Sequence, residues 1–442
     1  MLWVHVLRVC TALVCAAAAQ DASAEQLNMR ALQHAQAGEL QQALELFEEA
    51  RLQDLNNADY CNNVGVTYLR MQMPVTASAT FERCLELDAQ HADLLDNRDV
   101  AQKFLRQRTE QRVASQMAQW DRLARQFPAP EAKQLPRVPV SQFHWPKHRR
   151  YWNGEAAFVL TGVFDPKEHD EWNSKRLLDL FGTQFRAELY PNNLQGPSEH
   201  PVFQPLSIAL EELAHPLRFF ATPNGKNAYA GERLEATYLH LNLKKAEWSQ
   251  VVASVDFSLL RPFTNDDEWL SQCLSPELQD EFQLRTHWRL LLAGQVNAGM
   301  FMHQDALRTS SWHLTLRGTK RWFICPPHAT KQLCGDKGAS PLNAFLPESA
   351  KCEFRDLYSL CYDEQVGAGD LVFYPSDYWH QTTNAADGSV TVTSTVVNSE
   401  NVAKVRQALV DECSTGKFHF ALSSELCQAL SAQCFPLWQR MF

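Results

Sequence analysis

The chain has 442 residues, more than one hydrophobic core usually holds, so its length indicates two or three domains. With 45% hydrophobic and 21% charged residues, the composition is that of a folded globular protein and excludes a largely disordered one. The net charge of −10 argues against a nucleic-acid-binding protein, because such proteins carry a basic face.

The first residues predict a signal peptide. Arg8 precedes an apolar run, residues 9–19, that is too short to span a bilayer, and small residues in the A-x-A pattern follow up to Ala24. We therefore expect residues 1–24 to be removed and the protein to enter the secretory pathway, either staying in the endoplasmic reticulum lumen or being secreted. No later segment reaches membrane-spanning length, so no membrane span is expected in the mature form. An uncleaved helix or a wrongly chosen start codon is the alternative.

Four of the cysteines lie close together in the sequence, at Cys325, Cys334, Cys352 and Cys361. In an oxidising compartment such a group is typical of disulfides. Zinc-binding cysteines usually come as close C-x₂₋₄-C pairs, which these spacings do not match, so disulfides are favoured over a zinc site. Free thiols remain an alternative, and the connectivity is not readable.

Residues 25–127 contain a repeat with an offset of 34 residues, which predicts helix–turn–helix units. The pattern Ala31, His34, Ala43, Phe47 and Ala50 recurs as Gly65, Tyr68, Ala77, Phe81 and Cys84. This spacing resembles the tetratricopeptide repeat, in which small residues let helices approach and aromatic residues fill the groove between units. A long capping helix is predicted over residues 92–127. An amphipathic helical bundle without true repeats is the alternative.

The proline-rich stretch "PAPEAKQLPRVPVSQFHWP" predicts a linker over residues 128–150, because proline cannot continue a helix. Residues 151–401 then show short strands separated by Gly and Pro turns, which favour a small barrel or jelly roll. Helical patterns return over residues 402–442. The predicted fold class is therefore α+β, with an α-helical module before a β-rich domain.

The stretch "MHQDALRTSSWHLTLRGTKRW" holds two residues that bind transition metals, His303 and Asp305. On a strand, residues two apart point to the same side. A third ligand is available at His380, directly after a predicted strand and turn. Two histidines and one carboxylate leave three positions of an octahedral metal open, an arrangement typical of non-haem Fe(II) oxygenases that bind a co-substrate and O2.

Lys320 follows the predicted turn at Gly318 and points to the same chemistry. A cation inside a barrel is costly unless it pairs with an anion, and the distal carboxylate of 2-oxoglutarate is such an anion. Thr393 or Thr395, on one face of the last predicted strand, is a candidate hydroxyl donor to that carboxylate. Tyr238 is a further candidate donor, and a core tyrosine explains it as well.

Two segments, "HQDALRTSSWHLTLRGTKRWFICPP" and "VGAGDLVFYPSDYWHQTTNAADGSVTVTSTVVN", resemble the JmjC/cupin-type Fe(II)- and 2-oxoglutarate-dependent oxygenases. The likeness is strongest to the branch with the bifunctional arginine demethylase and lysyl hydroxylase. It covers roughly residues 151–401 and is clearest over 288–401. The resemblance implies a double-stranded β-helix, with Fe(II) on His303, Asp305 and His380. It also implies 2-oxoglutarate on Lys320, and O2 as oxidant.

The sequence departs from that branch at Met300, where threonine is usual, and at His313, where asparagine is usual. The expected function is hydroxylation of a protein or peptide side chain, with lysine favoured and the helical repeats holding the substrate. The departures motivate the alternative of a catalytically silent scaffold protein that keeps the ligands. A cupin using another metal for non-oxidative chemistry is a third reading.

Overall fold

The computed structural model describes residues 22–126, 132–143, 156–164, 171–191, 201–214, 236–255, 268–345 and 357–441. The predicted signal peptide falls outside these residues, apart from positions 22–24. The chain divides into two compact units, residues 1–108 and 109–442.

In the described part of the first unit, two helix–turn–helix pairs precede a long helix. The helices are α1 (Ala24–Ala37), α2 (Leu40–Gln53), α3 (Ala58–Arg70), α4 (Pro74–Leu85) and α5 (Ala92–Gln126). Helix α1 begins with a capping box between Ser23 and Gln26 and ends at Gly38, whose φ of 83° favours glycine. These helices agree with the predicted helix–turn–helix units, and their assignment to one repeat family stays a prediction.

The small residues of the repeat have the predicted packing role. A Cβ atom added to Gly65 would lie 2.3 Å from a ring carbon of Phe81, so α3 and α4 approach this closely only because position 65 is glycine. Phe47 and Phe81 are both buried, among the alanines of the neighbouring helices. The hydrophobic core of this unit therefore runs along the repeat.

Within the described part of the second unit, thirteen strands form two sheets. They are β1 (Arg137–Pro139), β2 (Phe158–Thr161), β3 (Arg186–Pro191), β4 (Val202–Pro205), β5 (Thr237–Asn242), β6 (Arg289–Gly294), β7 (Gly299–His303), β8 (Ser310–Arg317), β9 (Thr319–Cys325), β10 (Tyr362–Gly367), β11 (Leu371–Tyr374), β12 (Trp379–Asn384) and β13 (Ser389–Val396). The larger sheet has the order β1-β2-β11-β8-β13-β6-β5-β3-β4, and the smaller sheet has the order β10-β9-β12-β7. From β6 to β13 the chain passes back and forth between the sheets, which is the pattern of a double-stranded β-helix. The predicted α+β class is confirmed.

Helices of the second unit lie before, between and after these strands. In the described residues they are α6 (Ser174–Phe181), α7 (Leu206–Ala214), α8 (Lys245–Ser254), α9 (Glu268–Cys273), α10 (Pro276–Arg285), α11 (Leu357–Leu360), α12 (Val402–Thr415), α13 (Ser424–Ala429) and α14 (Phe435–Met441). The last three share one core with α9 and α10, centred on the ring of Trp269 against Trp288 and Trp438. The C-terminal helices are thus part of the second unit.

The predicted linker differs from the structure. Part of it forms β1, which pairs in parallel with β2 at the edge of the larger sheet. An edge strand tolerates proline, because one side of its backbone needs no partner, so the proline-rich composition did not distinguish a strand from a linker. The boundary between the two units also lies inside α5, after Arg108, and not at residue 127.

Disulfides tie both units internally. The described residues contain Cys61–Cys84, Cys273–Cys434, Cys325–Cys361 and Cys413–Cys427. Cys334 is also disulfide-bonded. The preference for disulfides over zinc at the central cysteine group is therefore confirmed for Cys325 and Cys361. Among the helices that the structure describes, none combines the length and the apolar character needed to cross a membrane.

Candidate metal centre

His303 and His380 are neighbours across two paired strands of the smaller sheet. His303 ends β7, and its backbone partner in the antiparallel strand β12 is His380. The two imidazole ring centroids lie 4.1 Å apart. Strand pairing therefore brings together two histidines that are far apart in sequence.

Asp305 completes the group from just beyond the strand. Strand β7 ends at His303, so Asp305 lies in the following turn and not on the strand as predicted. Its Oδ1 is 3.7 Å from Nε2 of His380, and its Oδ2 accepts a 2.6 Å hydrogen bond from Ser311. One ligand atom from each of the three residues lies within 4.8 Å of the others. The predicted ligands thus converge on a space suited to one ion.

The pKa shifts of His380 and Asp305 suit a metal site. Burial lowers the pKa of His380 well below its ordinary value, so its imidazole is neutral and able to ligate. Burial raises the pKa of the Asp305 carboxyl, against the opposing effects of His303 and the Ser311 hydroxyl. A divalent cation bound by the carboxylate would offset this cost of burial. Two imidazoles and one carboxylate fit Fe(II) by the chemistry of the donor set.

Lys320 is buried on the neighbouring strand β9, as the sequence indicated. Its side chain is 1% exposed, and its Nζ lies 2.5 Å from the Tyr238 hydroxyl and 5.5 Å from the ring centre of Trp322. No carboxylate pairs with it among the described residues. Burial lowers the pKa of Lys320 to about 7. A buried cation with no anionic partner in the described chain is the arrangement expected for an anion-binding site.

All seven predicted site residues line a single cavity of about 390 Å³ in the second unit. They are His303, Asp305, His380, Lys320, Tyr238, Thr393 and Thr395. The Thr393 hydroxyl donates to the carbonyl of Trp312 at 2.8 Å, and the Thr395 hydroxyl donates to that of Trp288 at 3.4 Å. Both threonines therefore face the cavity with their hydrogens engaged by the main chain, and their role as donors to a ligand stays a prediction.

Comparisons with known proteins agree with this geometry. Residues 211–398 match the model of the family described as Cupin-like domain. The second unit therefore contains a cupin-like domain over these residues. That match lies within the span of the sequence resemblance, 151–401, and it begins later.

Three relatives show what the chain is similar to. It is 25% identical over 170 residues to the human 2-oxoglutarate and iron-dependent oxygenase JMJD4, covering 36% of this chain and 39% of that protein. It is 27% identical over 129 residues to the Caenorhabditis elegans bifunctional arginine demethylase and lysyl-hydroxylase psr-1, covering 26% and 30%. It is 29% identical over 157 residues to the Arabidopsis thaliana lysine-specific demethylase JMJ21, covering 33% and 15%. The matches span less than two fifths of each of these relatives.

Tyr374 of the cupin-like domain contacts a candidate metal ligand, and no sequence motif identified it as a site residue. Its hydroxyl lies 3.2 Å from Nε2 of His380 and 3.2 Å from Nε2 of His313. Tyr374 is paired in register with Ser311, which holds Asp305. The alternation of side chains along a strand could have indicated this role. Tyr374 ends a strand, and the neighbouring strand carries Ser311 and His313 on one face. His313, one of the two departures from the related branch, lines the cavity beside it.

Proposed function

We propose that the cupin-like domain is an Fe(II)- and 2-oxoglutarate-dependent oxygenase that uses O2 to hydroxylate a side chain of a protein or peptide. One observation carries this proposal: the triad of His303, Asp305 and His380 and the buried cation of Lys320 face the same cavity. A metal site alone would fit several chemistries. The combination of a three-ligand metal site with an anion anchor fits a co-substrate that has a chelating end and a carboxylate end.

Different residues of the chain bind the metal and the co-substrate. His303, Asp305 and His380 hold the metal and leave positions open for ligands. Lys320 and the Tyr238 hydroxyl hold the far carboxylate of 2-oxoglutarate, so the oxo-acid end is directed to the metal. When bound, ferrous iron supplies the oxidative decarboxylation of 2-oxoglutarate to succinate and the transfer of one oxygen atom to a C–H bond.

We favour a lysyl side chain of a polypeptide as the substrate. The relative psr-1 is named as an arginine demethylase and lysyl-hydroxylase, and JMJ21 is named as a lysine-specific demethylase, which supports a cationic side chain. The helical hairpins of residues 24–85 support a polypeptide substrate, because stacked helix pairs make extended binding surfaces. We propose that these helices are tetratricopeptide-like repeats that hold it.

We further propose that the protein works in the secretory pathway. The apolar run near the first residue supports this compartment, and so do the disulfides of both units, since disulfides persist in oxidising compartments. Mass mapping of disulfide-linked peptides from protein made in secreting cells tests the proposal. Free thiols at Cys273 and Cys434 in that protein would contradict it.

Succinate release by the purified protein, with Fe(II) and 2-oxoglutarate, tests the oxygenase. We expect turnover in the wild type and none in His303→Ala. Glu400→Gln, which changes an exposed acid, is the control and should turn over normally. Turnover that survives in His303→Ala would contradict the metal assignment. Met300 and His313 motivate the scaffold alternative. It would be favoured if the wild type binds metal and 2-oxoglutarate but releases no succinate with any protein captured by residues 25–127.

A further inference from the structure

A second group of polar residues lies on the larger sheet, next to Tyr238, whose hydroxyl contacts Lys320. Glu188 of β3 is paired in register with His240 of β5, one pleat beyond the pair of Tyr190 and Tyr238. Residues two apart on a strand share a face and are separated by roughly 7 Å. Because Tyr238 faces the cavity and contacts Lys320, this group occupies the same face of the sheet, at about that distance along it from Tyr238.

Glu188 carries a negative charge in this group. It is 8% exposed, and it accepts hydrogen bonds from the Tyr190 hydroxyl at 3.0 Å and from the Asn242 amide at 2.8 Å. His287 approaches it at 3.4 Å. Burial alone would raise the pKa of Glu188, but the contacts with His287 and Asn242 lower it to about 2. The carboxylate is therefore ionised throughout the neutral range.

Two polar atoms beside Glu188 lack hydrogen-bond partners among the described residues. One is Nε2 of His240, a residue that is 6% exposed and lines the cavity. Burial lowers the pKa of His240 to about 3, so the ring is neutral, and Nε2 is an acceptor in the tautomer that carries its proton on Nδ1. The other is Oδ1 of Asn242, left as an acceptor because the amide nitrogen of that side chain faces the carboxylate. Buried acceptors without partners are rare, and they indicate a missing donor.

His240 lines the cavity, and Glu188 lies behind the lining residues Tyr190 and His287, which contact it, so the group offers one negative charge and acceptor atoms next to the cavity wall. The ligand chemistry that matches it is a cation with several N–H donors, an ammonium or a guanidinium. We propose that Glu188, His240 and Asn242 form the subsite that recognises the cationic head of the substrate side chain, a specificity-determining role that rests on the proposed oxygenase function. Lys320 in the cavity and Glu188 behind its wall thus place opposite charges at two positions, one for the co-substrate and one for the substrate.

His287 is the contact that the substrate replaces. Its distance to Glu188 is the longest of the three, and its side chain is 41% exposed at the cavity wall. It lies in the short turn between α10 and β6, outside the strands that carry Glu188 and Asn242. The Tyr190 and Asn242 contacts stay in place and keep the carboxylate oriented.

Peptide binding to the full chain tests the subsite. The chain is loaded with Mn(II) in place of iron, together with 2-oxoglutarate, so that no turnover occurs. The probes are pentapeptides with alanine at every position but the central one, which is lysine, arginine, norleucine or ε-acetyl-lysine. Calorimetry measures their dissociation constants with the wild type, with Glu188→Gln and with Glu364→Gln. Glu364 is a matched control, since it is a buried carboxylate paired with Arg137 away from the cavity.

We expect the wild type to prefer the lysine or the arginine peptide over norleucine by roughly 30-fold, as for a buried charge pair. Glu188→Gln should reduce that ratio to near one, and Glu364→Gln should keep it. The better of the lysine and arginine peptides identifies which head group the subsite takes. Glu188→Asp, which keeps the charge, should restore part of the preference.

Equal or undetectable binding of all four peptides by the wild type would overturn the proposal, and so would a preference that survives in Glu188→Gln. The same calorimetry reports the affinity for Mn(II) and for 2-oxoglutarate without any peptide. Loss of those affinities in the wild type would instead overturn the proposed function, so the two failures are distinguishable.

Discussion

Replacing Lys320 with methionine should stabilise the protein that lacks co-substrate while abolishing its affinity for 2-oxoglutarate. Methionine has a similar length and no charge, so it fills the same space without a buried ammonium. The side chain of Lys320 is 1% exposed, and its nitrogen contacts only the Tyr238 hydroxyl and aromatic rings in the described residues. The buried ammonium of Lys320 therefore destabilises the folded protein when no co-substrate is bound.

The size of this cost follows from the pKa. Burial lowers the pKa of Lys320 from 10.5 to about 7, which corresponds to roughly 5 kcal/mol at about 1.4 kcal/mol per pKa unit. This is an upper bound, because the rings of Tyr238 and Trp322 favour the ammonium form. Between pH 7 and 10.5 the unfolded lysine holds a proton that the folded one has released. Wild-type stability should therefore rise with pH across that window, by about 2 kcal/mol between pH 7 and 9.

Denaturant unfolding of metal-free wild type and Lys320→Met at pH 7 and pH 9 measures both effects. We expect the variant to be several kcal/mol more stable at pH 7, with a smaller advantage at pH 9. Calorimetry with 2-oxoglutarate on the Mn(II)-loaded proteins should show binding only for the wild type. A variant that is less stable than wild type and keeps the same dependence on pH would refute this reasoning.

Two further predictions concern the framework of the site. Gly299→Ala would place a Cβ atom 1.9 Å from the carbonyl oxygen of Thr382, so we expect it to separate β7 from β12. This should lower the free energy of unfolding by about 3 kcal/mol or more and weaken metal binding in titrations. Gly367→Ala, with nothing within 4 Å of the added atom, should change stability by less than about 0.5 kcal/mol, and equal losses in both variants would contradict the clash. Arg112→Met removes the two hydrogen bonds from α5 to Asp387. We expect it to lower the free energy of unfolding by about 3 kcal/mol without changing metal affinity. An unchanged denaturation midpoint would contradict this expectation.

The metal ligands were predictable because their chemistry is local. His303 and Asp305 are two apart, and His380 follows a strand and turn whose residues also signal the site. The sequence did not show that β7 ends at His303, because the position of a strand end depends on pairing with β12. The ligand set was thus predicted, while its placement at the end of a strand was not.

Other parts of the site depend on contacts that no local pattern contains. Glu188 and His240 are 52 positions apart and meet only because β3 and β5 pair at the edge of the larger sheet. The apolar pattern of its strand predicts that Tyr374 is a core residue. Its pairing with Ser311, which contacts Asp305, is what indicates that its hydroxyl faces the ligands. Pairing between distant strands is set by how the whole domain packs, so such residues are found after the fold is known.

Anaerobic iron binding by the metal triad is the most direct test of the account. Wild-type protein, His303→Ala and His380→Ala are incubated with Fe(II), freed of unbound metal by gel filtration and analysed for iron per chain. We expect one iron in the wild type, with a visible charge-transfer band when 2-oxoglutarate is added, and almost none in either variant. Iron that remains at wild-type content in both histidine variants, or a wild type that retains no iron, would contradict the central claim.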